Sequence, residues 1–297
     1  MSVRIAEHSG FCMGVRRAVD TAMNCEPGSA SVLGELIHNG TVTRMLEARG
    51  IRSVERPEDC RTGRLIIRSH GVGKEIYERA AAAGLEIVDA TCVYVKKIHE
   101  TVSKYHALGY TIVIAGTAGH PEVEGINGWC GSEAVIVSDA ADAARVSGLE
   151  RVCVVSQTTF SPQKFEEIIK KLQNNGNKIV EIFNTICYTT EVRLREASEL
   201  AAESDLAIVL GGRHSSNTRK LWEACAAVCP EVRWIESAAE IDETFRGFQN
   251  VAVVAGASTP SELIKEVKLK MEEMNNAEVQ AEETEKTGAV ETAPAEE

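Results

Sequence analysis

Six stretches of the chain share one pattern, an apolar run typical of a buried strand followed at once by small or polar residues. In residues 110–125 the β-branched run 111–114 leads into His120 and Glu122 on one turn. Segments with helical periodicity separate the six stretches, and this alternation predicts an α/β class with largely parallel sheets. The other five stretches are residues 31–39, 64–72, 151–159, 205–217 and 250–260.

Three cysteines divide this pattern into repeats. Cys12, Cys92 and Cys187 are followed, after 26, 28 and 30 residues, by polar residues at the end of a strand. These first tips are His38, His120 and Asn217, and the second tips, 32, 38 and 41 residues later, are His70, Thr158 and Ser258. A threefold repeat predicts three pseudo-symmetric α/β domains, residues 1–91, 92–186 and 187–274, which bring three thiols and six tips to one centre.

Charge is unevenly distributed along the chain. The net charge is −12, and residues 275–297 hold seven Glu and one Lys, so this segment and residues 1–274 carry −6 each. The tail lacks aromatic residues and is expected to be disordered and acidic. Residues 1–274 show no basic stripe, which makes nucleic-acid binding unlikely there. No apolar run reaches the roughly 18–20 residues of a membrane span, and the first residues do not resemble a signal peptide, so we expect a cytoplasmic location.

Nine cysteines, an odd count, argue against a disulfide framework in a reducing compartment. Cys12, Cys92 and Cys187 each precede a helix-like segment, where backbone amides favour a thiolate. Three thiolates suit an iron–sulfur cluster with one iron open to substrate, whereas any single one of them also fits a buried apolar site. We interpret three further cysteines as core residues, Cys153, Cys225 and Cys229. The last three have no assigned role, and these are Cys25, Cys60 and Cys130.

Polar tip residues also predict a phosphate site. Three histidines at equivalent tips, with serines and an asparagine at the others, form a neutral-to-cationic cradle for a diphosphate, although each histidine alone also fits a structural role. Neither a Gly-x-Gly-x-x-Gly fingerprint nor a Walker A loop occurs. The predicted diphosphate ligands are His38, His70, His120, Ser215, Ser216, Asn217 and Ser258.

Glu122 is the carboxylate placed directly on a tip with a histidine. A buried acid near an anionic cluster retains its proton and suits a general acid near neutral pH. Glu124 competes for this role, with a solvated loop charge as its simpler interpretation. Thr158 either orients a water or hydroxyl for Glu122 or caps the helix that follows Pro162.

With these residues the sequence resembles the IspH/LytB family of 4-hydroxy-3-methylbut-2-enyl diphosphate reductases. The resemblance covers roughly residues 3–271. Val93 and the pair Arg193-Leu194 depart from the family pattern, and neither position is a ligand. The motifs in family order are Gly-Phe-Cys12-x-Gly-Val, Ile-His38-Asn, Ser-His70-Gly-Val, Asp-Ala-Thr-Cys92, Gly-His120-Pro-Glu122-Val-Glu-Gly, Gln-Thr158-Thr, Asn-Thr-Ile-Cys187, Ser215-Ser216-Asn217 and Ala-Gly-Ala-Ser258.

The resemblance implies an iron–sulfur oxidoreductase of the last step of the non-mevalonate isoprenoid pathway. A [4Fe–4S] cluster at the centre of the three domains would be held by Cys12, Cys92 and Cys187. The seven diphosphate ligands predicted above would bind the substrate diphosphate. Glu122 and Thr158 would be catalytic, Glu122 delivering protons and Thr158 also positioning the substrate hydroxyl. The products would be isopentenyl and dimethylallyl diphosphate, and a ferredoxin or flavodoxin would be the electron donor.

Two other functions compete with this interpretation. A zinc hydrolase would use Cys and His ligands with Glu122 as its base. An RNA-associated accessory protein would show salt-dependent RNA binding, which the acidic body of the chain disfavours. Some relatives continue after an acidic linker into RNA-binding repeats, and residues 275–297 fit either such a linker or a solubilising terminus.

Overall fold

A computed structural model describes the backbone of residues 1–290 and the side chains of residues 1–275. The described residues form twelve β-strands and ten α-helices. The strands are β1 (Ser2–Ile5), β2 (Ser31–Leu33), β3 (Arg52–Val54), β4 (Arg64–Ile67), β5 (Glu86–Asp89), β6 (Thr111–Ala115), β7 (Val135–Val137), β8 (Arg151–Ser156), β9 (Ile179–Ile182), β10 (Leu206–Leu210), β11 (Glu231–Ile235) and β12 (Asn250–Ala255). The helices are α1 (Met13–Met23), α2 (Gly40–Ala48), α3 (Lys74–Ala82), α4 (Val93–Ala107), α5 (Pro121–Asn127), α6 (Ala140–Ala143), α7 (Pro162–Gln173), α8 (Tyr188–Ala202), α9 (Ser216–Ala226) and α10 (Ser261–Val290).

The strands form three four-stranded sheets in which every pairing is parallel. Their orders are β3-β2-β4-β5, β7-β6-β8-β9 and β11-β10-β12-β1. The predicted architecture of three α/β domains with parallel sheets is therefore confirmed. All three sheets share one plan, with the second strand of the repeat at one edge, then the first, then the third. The fourth place is taken by β5, β9 and β1 in the three sheets, and this plan is the structural form of the repeat seen in the sequence.

Strand β1 differs from its predicted place. The repeat in the sequence predicts β1 within the unit 1–91, but β1 pairs with β12, in register from Ser2 opposite Asn250 to Ile5 opposite Val253. After β12 the chain enters α10 instead of a fourth strand, so the open edge of β12 is completed by the N-terminal strand. The boundaries at Cys92 and Cys187 stay predictions.

Two compact units follow from this pairing. The terminal unit comprises Met1–Gly10 and Arg193–Glu297, and the central unit comprises Phe11–Val192. The terminal unit contains the sheet of β10, β11, β12 and β1, and the central unit contains the other two sheets.

The strands carry the buried apolar faces that parallel sheets require, because helices cover both sides. In β10 all five residues are buried. Leu206, Ile208 and Leu210 pack with apolar residues of α10. Ala207 and Val209 point to the opposite face, against α8 and α9. Cys225 and Cys229 belong to this second cluster, as predicted for core cysteines.

The acidic C-terminal segment coincides in part with α10, which continues to Val290. Alanine and glutamate are good helix formers, so this segment is compatible with helix where disorder was expected. Residues 291–297 lie outside the described residues, and the prediction of a disordered tail stays a prediction there. Among the described residues no helix combines the length and apolar composition needed to cross a bilayer.

Candidate functional site

The tip residues predicted from the sequence follow the first and third strands of each sheet. These two strands are neighbours, and the chain leaves them toward opposite edges of the sheet. Open parallel sheets bind ligands at such a reversal of strand order, beyond the carboxyl ends of the strands. In the central unit His38 follows β2, His70 follows β4, His120 follows β6 and Thr158 follows β8.

Three of these tips bring their imidazole rings together. The ring centroids of His38 and His70 are 4.4 Å apart, and that of His120 lies 5.7 Å from His38 and 6.0 Å from His70. All three side chains are partly buried. Two sheets of the central unit thus contribute to one histidine cluster, two rings from β2 and β4 and one from β6.

Hydrogen bonds orient two of these rings. The backbone N–H of Glu122 donates to His120 Nδ1 at 3.1 Å, so a neutral His120 carries its proton on Nε2 and presents a donor there. This contact also makes His120 the N-cap of α5. Nδ1 of His38 lies 3.1 Å from an Oε2 atom of Glu35. The Nδ1 atom of His70 is buried and has no hydrogen-bond partner within the part of the chain whose side chains are described.

Two rings of the cluster are held neutral in the free protein. Burial, with smaller contributions from the neighbouring His38 and Arg68, lowers the pKa of His120 to about 4. Burial also holds the pKa of His70 well below its usual value, with contributions from His38, His120 and Arg68. An anion bound next to His70, His120 and the Arg68 guanidinium stabilises this site, because the anion favours protonation of the two neutral rings.

Arg68 is a member of this site that the sequence analysis missed. It is partly buried, its Nε donates to the Gly71 carbonyl at 3.5 Å, and burial lowers its pKa from the usual range. Its position directly after β4 and before His70 is the signal that identifies it. Arg68 adds a positive charge close to His70 and His120.

Glu122 forms two hydrogen bonds with Thr158. The Thr158 backbone N–H donates to Glu122 Oε1 at 2.6 Å, and its hydroxyl donates to Oε2 at 2.8 Å. Glu122 is 3% exposed. Burial raises its pKa from 4.5 to about 7, against the two hydrogen bonds from Thr158, which lower it. The carboxyl therefore exchanges a proton near neutral pH.

The structure also distinguishes the alternatives for these two residues. Ser161, not Thr158, is the N-cap of α7, since its hydroxyl accepts from the Lys164 N–H at 3.4 Å. Glu124 is exposed and its Oε1 accepts from the Gly119 N–H at 3.3 Å. Thr158 thus uses its hydroxyl on Glu122, and Glu124 has the surface position of a solvated loop charge.

The cysteines predicted as ligands each follow the fourth strand of a sheet and directly precede a helix, Cys12 between β1 and α1, Cys92 between β5 and α4, and Cys187 between β9 and α8. The N–H of Cys92 donates to the Ser69 carbonyl at 3.0 Å, and that of Cys187 to the Thr158 carbonyl at 2.9 Å. Both cysteines are therefore bonded to the loop that carries the second tip of the preceding predicted domain.

Exposure separates these cysteines from the other six, since all three are partly exposed whereas the other six are buried. The Val15 N–H donates to Cys12 Sγ at 3.5 Å, at the start of α1. Burial raises the pKa of Cys92, and the nearby Cys12 and Cys187 contribute in the same direction, so the three thiols are close enough to interact electrostatically.

Gly14 allows this approach, and the sequence analysis did not single it out. A Cβ atom at Gly14 would lie 2.6 Å from Cys92 Sγ, closer than any real contact. The start of α1 and the thiol at the start of α4 are therefore packed together only because residue 14 lacks a side chain. The Arg17 guanidinium strengthens this contact by donating to the Thr91 carbonyl.

A single-ion site requires closely spaced donor atoms. A zinc ion with Zn–S bonds of about 2.3 Å holds its sulfurs roughly 4 Å apart. Among the residues with described side chains, the one group of three donor atoms within 4.8 Å is Glu7, His8 and Glu196, none of them a predicted ligand. Within that part of the chain the three thiols and the three histidines therefore form no compact site for a single ion. A polynuclear cluster does not require such close thiolates, because iron and sulfide lie between them.

The terminal unit carries the remaining predicted diphosphate ligands at the ends of β10 and β12. The hydroxyl of Ser215 caps α9 by accepting from the Thr218 N–H at 3.3 Å, and Ser216 begins that helix. Asn217 is buried, and its Nδ2 atom has no hydrogen-bond partner among the described residues. Ser258 is buried at the turn after β12.

His99 supports the His70 loop, although the sequence analysis gave it no role. It is buried and stacks on Trp129 with ring centroids 5.1 Å apart and planes 17° apart. A Cβ atom at Gly71 would lie 2.5 Å from its Cε1 atom, so the ring fills the space under that glycine, whose φ is +72°. Burial lowers the pKa of His99 to about 4, which keeps the ring neutral.

Comparisons with known proteins agree on one family. The family described as LytB protein matches residues 3–272. A protein named 4-hydroxy-3-methylbut-2-enyl diphosphate reductase from Caldanaerobacter subterraneus subsp. tengcongensis is 42% identical over 275 residues, which is 90% of this chain and 95% of the relative. A relative of the same name from Alkaliphilus oremlandii is 43% identical over 273 residues, 90% of this chain and 98% of its own length.

A solved structure is also similar over most of the chain. It is the structure of (E)-4-hydroxy-3-methyl-but-2-enyl diphosphate reductase, described as the terminal enzyme of the non-mevalonate pathway. The similarity has a TM-score of 0.69 with 37% sequence identity, and covers 92% of this chain and all of the other.

Proposed function

This chain belongs to the LytB family and is an oxidoreductase, and on that premise we propose that it removes the C4 hydroxyl of 4-hydroxy-3-methylbut-2-enyl diphosphate by reduction. The products are isopentenyl and dimethylallyl diphosphate, as the last step of the non-mevalonate pathway. The reaction consumes two electrons and two protons for each substrate and releases one water. A site for it must hold a diphosphate, supply a proton to the leaving oxygen, and receive electrons.

The observation that carries the proposal is the pair formed by Glu122 and Thr158 beside the histidine cluster. A buried carboxyl with a pKa of about 7 holds a proton at neutral pH, when an ordinary glutamate is ionised. The backbone of Glu122 is hydrogen-bonded to the ring of His120, so acid and anion site belong to one turn. Few arrangements of residues combine these two properties.

In the central unit the three histidines and Arg68 bind the anion. His120 donates from Nε2, and the buried Nδ1 of His70 has no partner within the described residues. A diphosphate at these rings raises their pKa and forms charge-assisted hydrogen bonds with them. His38 is the third ring of this cluster. On the family resemblance we assign diphosphate binding also to Ser215, Ser216, Asn217 and Ser258.

Proton delivery uses the hydrogen bond between the Glu122 carboxyl group and the Thr158 hydroxyl. When Glu122 is protonated on Oε2, this hydrogen bond reverses, and the carboxyl donates to Thr158 Oγ1 over 2.8 Å. The Thr158 hydroxyl proton is then free to donate to the substrate C4 oxygen. Glu122 thus protonates the leaving group through Thr158 and is reprotonated from solvent, the source of both protons that the reaction consumes.

Cys12, Cys92 and Cys187 would hold a [4Fe–4S] cluster, whose open iron supplies Lewis-acid polarisation of the substrate hydroxyl and whose redox capacity supplies electrons one at a time. The Thr158 carbonyl accepts from the Cys187 N–H and from the Thr190 hydroxyl, at 2.9 and 3.2 Å. The loop that carries the proton donor is therefore bonded to the loop that carries the third thiol. A ferredoxin or flavodoxin serves as the electron donor, and the reaction takes place in the cytoplasm.

The test begins with anaerobic purification and quantitation of iron and acid-labile sulfide. We expect about four of each per chain, turnover with a chemical reductant, and a change in the cluster spectrum on adding substrate. Cys92→Ser removes the cluster, whereas Cys225→Ser, which alters a fully buried core thiol, retains it. Zinc in place of iron, or iron content unchanged in Cys92→Ser, would refute the ligand set.

Glu122→Gln separates proton delivery from cluster binding. The variant should keep its iron and its spectrum but lose most turnover, because an amide cannot deliver the proton. Glu124→Gln, an exposed position on the same turn, is the matched control and should keep turnover. Turnover of Glu122→Gln equal to that of the unmodified enzyme would remove Glu122 from the mechanism.

A further inference from the structure

Two of the three ligand cysteines begin the same six-residue pattern. Cys12 is followed by Met-Gly-Val-Arg-Arg and Cys92 by Val-Tyr-Val-Lys-Lys, so an apolar residue, a valine and two cations recur at the same spacing. Both segments form the first turns of helices, α1 and α4, in the central unit. Residues 13–17 and 93–97 contain four cations and no carboxylate, in a chain with a net charge of −12.

Large apolar side chains next to all three cysteines are exposed. Met13 is 61% exposed, Val93 42%, Tyr94 45% and Tyr188 73%. Met13, Val93 and Tyr188 each directly follow a cysteine, and all four belong to the central unit. Gly14, next to Met13, lies against Cys92 Sγ, so the starts of α1 and α4 are side by side. We call these four apolar residues, together with Arg16 and Lys97, the thiol-flanking face. Exposed apolar residues rimmed by charges are typical of protein-interaction surfaces.

Folding does not explain the charge of this face. Cations in the first turns of a helix oppose its dipole, and neither helix has an acidic residue in its first turn. Arg17 and Lys96 have partners within the fold, the Thr91 carbonyl and Asp89. In the part of the chain whose side chains are described, the Arg16 side chain has no hydrogen bond or ion pair, and Lys97 contacts only the Tyr94 ring, at 6.0 Å. A partner with negative charge accounts for both.

The nature of the partner follows from the reaction, and this step depends on the function proposed above. A reductase must receive two electrons, and this chain has no dinucleotide-binding fingerprint, so another molecule brings them. We propose that the thiol-flanking face docks a small acidic one-electron carrier protein. Each encounter oxidises the carrier by one electron and reduces the enzyme by one, so two encounters serve one substrate. Carboxylates of the carrier meet Arg16 and Lys97, and its apolar rim covers Met13, Tyr94 and Tyr188.

The test compares two electron donors on one double variant of the cluster-loaded enzyme. Arg16→Glu/Lys97→Glu reverses the two cations, and Lys164→Glu/Lys171→Glu makes the same change of charge at exposed positions of α7. With reduced acidic ferredoxin as donor, the first variant should lose on the order of tenfold in kcat/KM at low salt, and the loss should shrink as salt screens the charges. With reduced methyl viologen, a small cation, its turnover should be unchanged or faster. The control variant should match the unmodified enzyme with both donors.

A second measurement reads docking without turnover. A carbodiimide joins ferredoxin carboxylates to lysine amines in contact with them, and the cross-link should map to Lys97. Cross-linking of the control variant should equal that of the unmodified protein, whereas Lys97→Arg, which keeps the charge but removes the amine, should lose this cross-link and keep ferredoxin-driven turnover.

Each result decides the question. Equal losses with ferredoxin and methyl viologen would mean that the cations act on the cluster or the fold, and would overturn the proposal. An unchanged kcat/KM of the Arg16→Glu/Lys97→Glu variant with ferredoxin would also overturn it. So would an unmodified protein that forms no cross-link with ferredoxin but binds an RNA oligonucleotide, if the double variant lost that binding. If the unmodified enzyme failed to turn over with either donor, the proposed function would fail, and the Lys97 cross-link would still decide whether the face docks the carrier.

Discussion

Glu122→Gln should stabilise the protein at alkaline pH while it abolishes proton delivery. In the folded state Glu122 is buried with a pKa of about 7, compared with 4.5 for an ordinary glutamate. The folded state therefore binds this proton more tightly than the unfolded state does. The associated stability is fully present below pH 4.5 and is lost as the pH rises toward and through about 7.

The magnitude follows from the pKa difference. A change from 4.5 to about 7 corresponds to about 3 kcal/mol of unfolding free energy, lost almost completely by pH 8. Glutamine has no charge to bury, accepts from the Thr158 N–H in place of Oε1, and donates to the Thr158 hydroxyl in place of Oε2. The variant should equal the unmodified protein near pH 5 and exceed it by about 3 kcal/mol at pH 8.

The assay is thermal unfolding of both proteins between pH 5 and pH 8, with Glu124→Gln as control. For a unit of this size a gain of 3 kcal/mol raises Tm by roughly 6–12 °C. Every other titratable group is common to both proteins, so its contribution cancels in the difference between them. Glu124→Gln removes an exposed carboxylate on the same turn and should show no such pH-dependent gain.

Parallel pH profiles for Glu122→Gln and the unmodified protein would refute this reasoning, since they would mean that Glu122 has the same pKa in both states. Turnover would then need another acid. A variant that is less stable at every pH would show instead that the geometry of the two hydrogen bonds, not the charge, determines stability at this position.

Three further predictions concern other parts of the site. Gly14→Ala should lower the iron content of the purified protein severalfold, because the new Cβ would lie 2.6 Å from Cys92 Sγ, and iron quantitation with full retention would contradict the packing. Thr158→Val should lose most turnover and Thr158→Ser should restore it, since serine keeps the hydroxyl of the relay; equal activity of the two variants would exclude that hydroxyl. Inorganic pyrophosphate should bind more tightly as the pH falls from 8 to 6 and take up protons, because the anion raises the lowered pKa of His120. In calorimetry Arg68→Gln should weaken pyrophosphate binding about tenfold. Binding that is independent of pH and takes up no protons would contradict the lowered pKa of His120.

Much of the site was predictable because it depends on short segments. A strand followed by a polar tip, and a cysteine followed by a helix, are local patterns, and their threefold repetition predicted both the three parallel sheets and the two kinds of tip. The family motifs lie at these same positions, so the resemblance and the residue chemistry led to the same set of candidates. The identity of the candidate ligands and acids is therefore a property of the sequence itself.

Other features depend on contacts between distant segments, and only the tertiary structure decided them. Strand β1 completes the sheet of β12, to which it pairs across 248 positions of the chain (Ser2 opposite Asn250), because that sheet had an open edge. Arg68 directly follows β4, but only the fold brings its charge close to His120, and only packing brings Gly14 against Cys92 Sγ. The proton affinity of Glu122 is of the same kind. Any glutamate has the same carboxyl, and its pKa of about 7 arises from its burial in the folded chain.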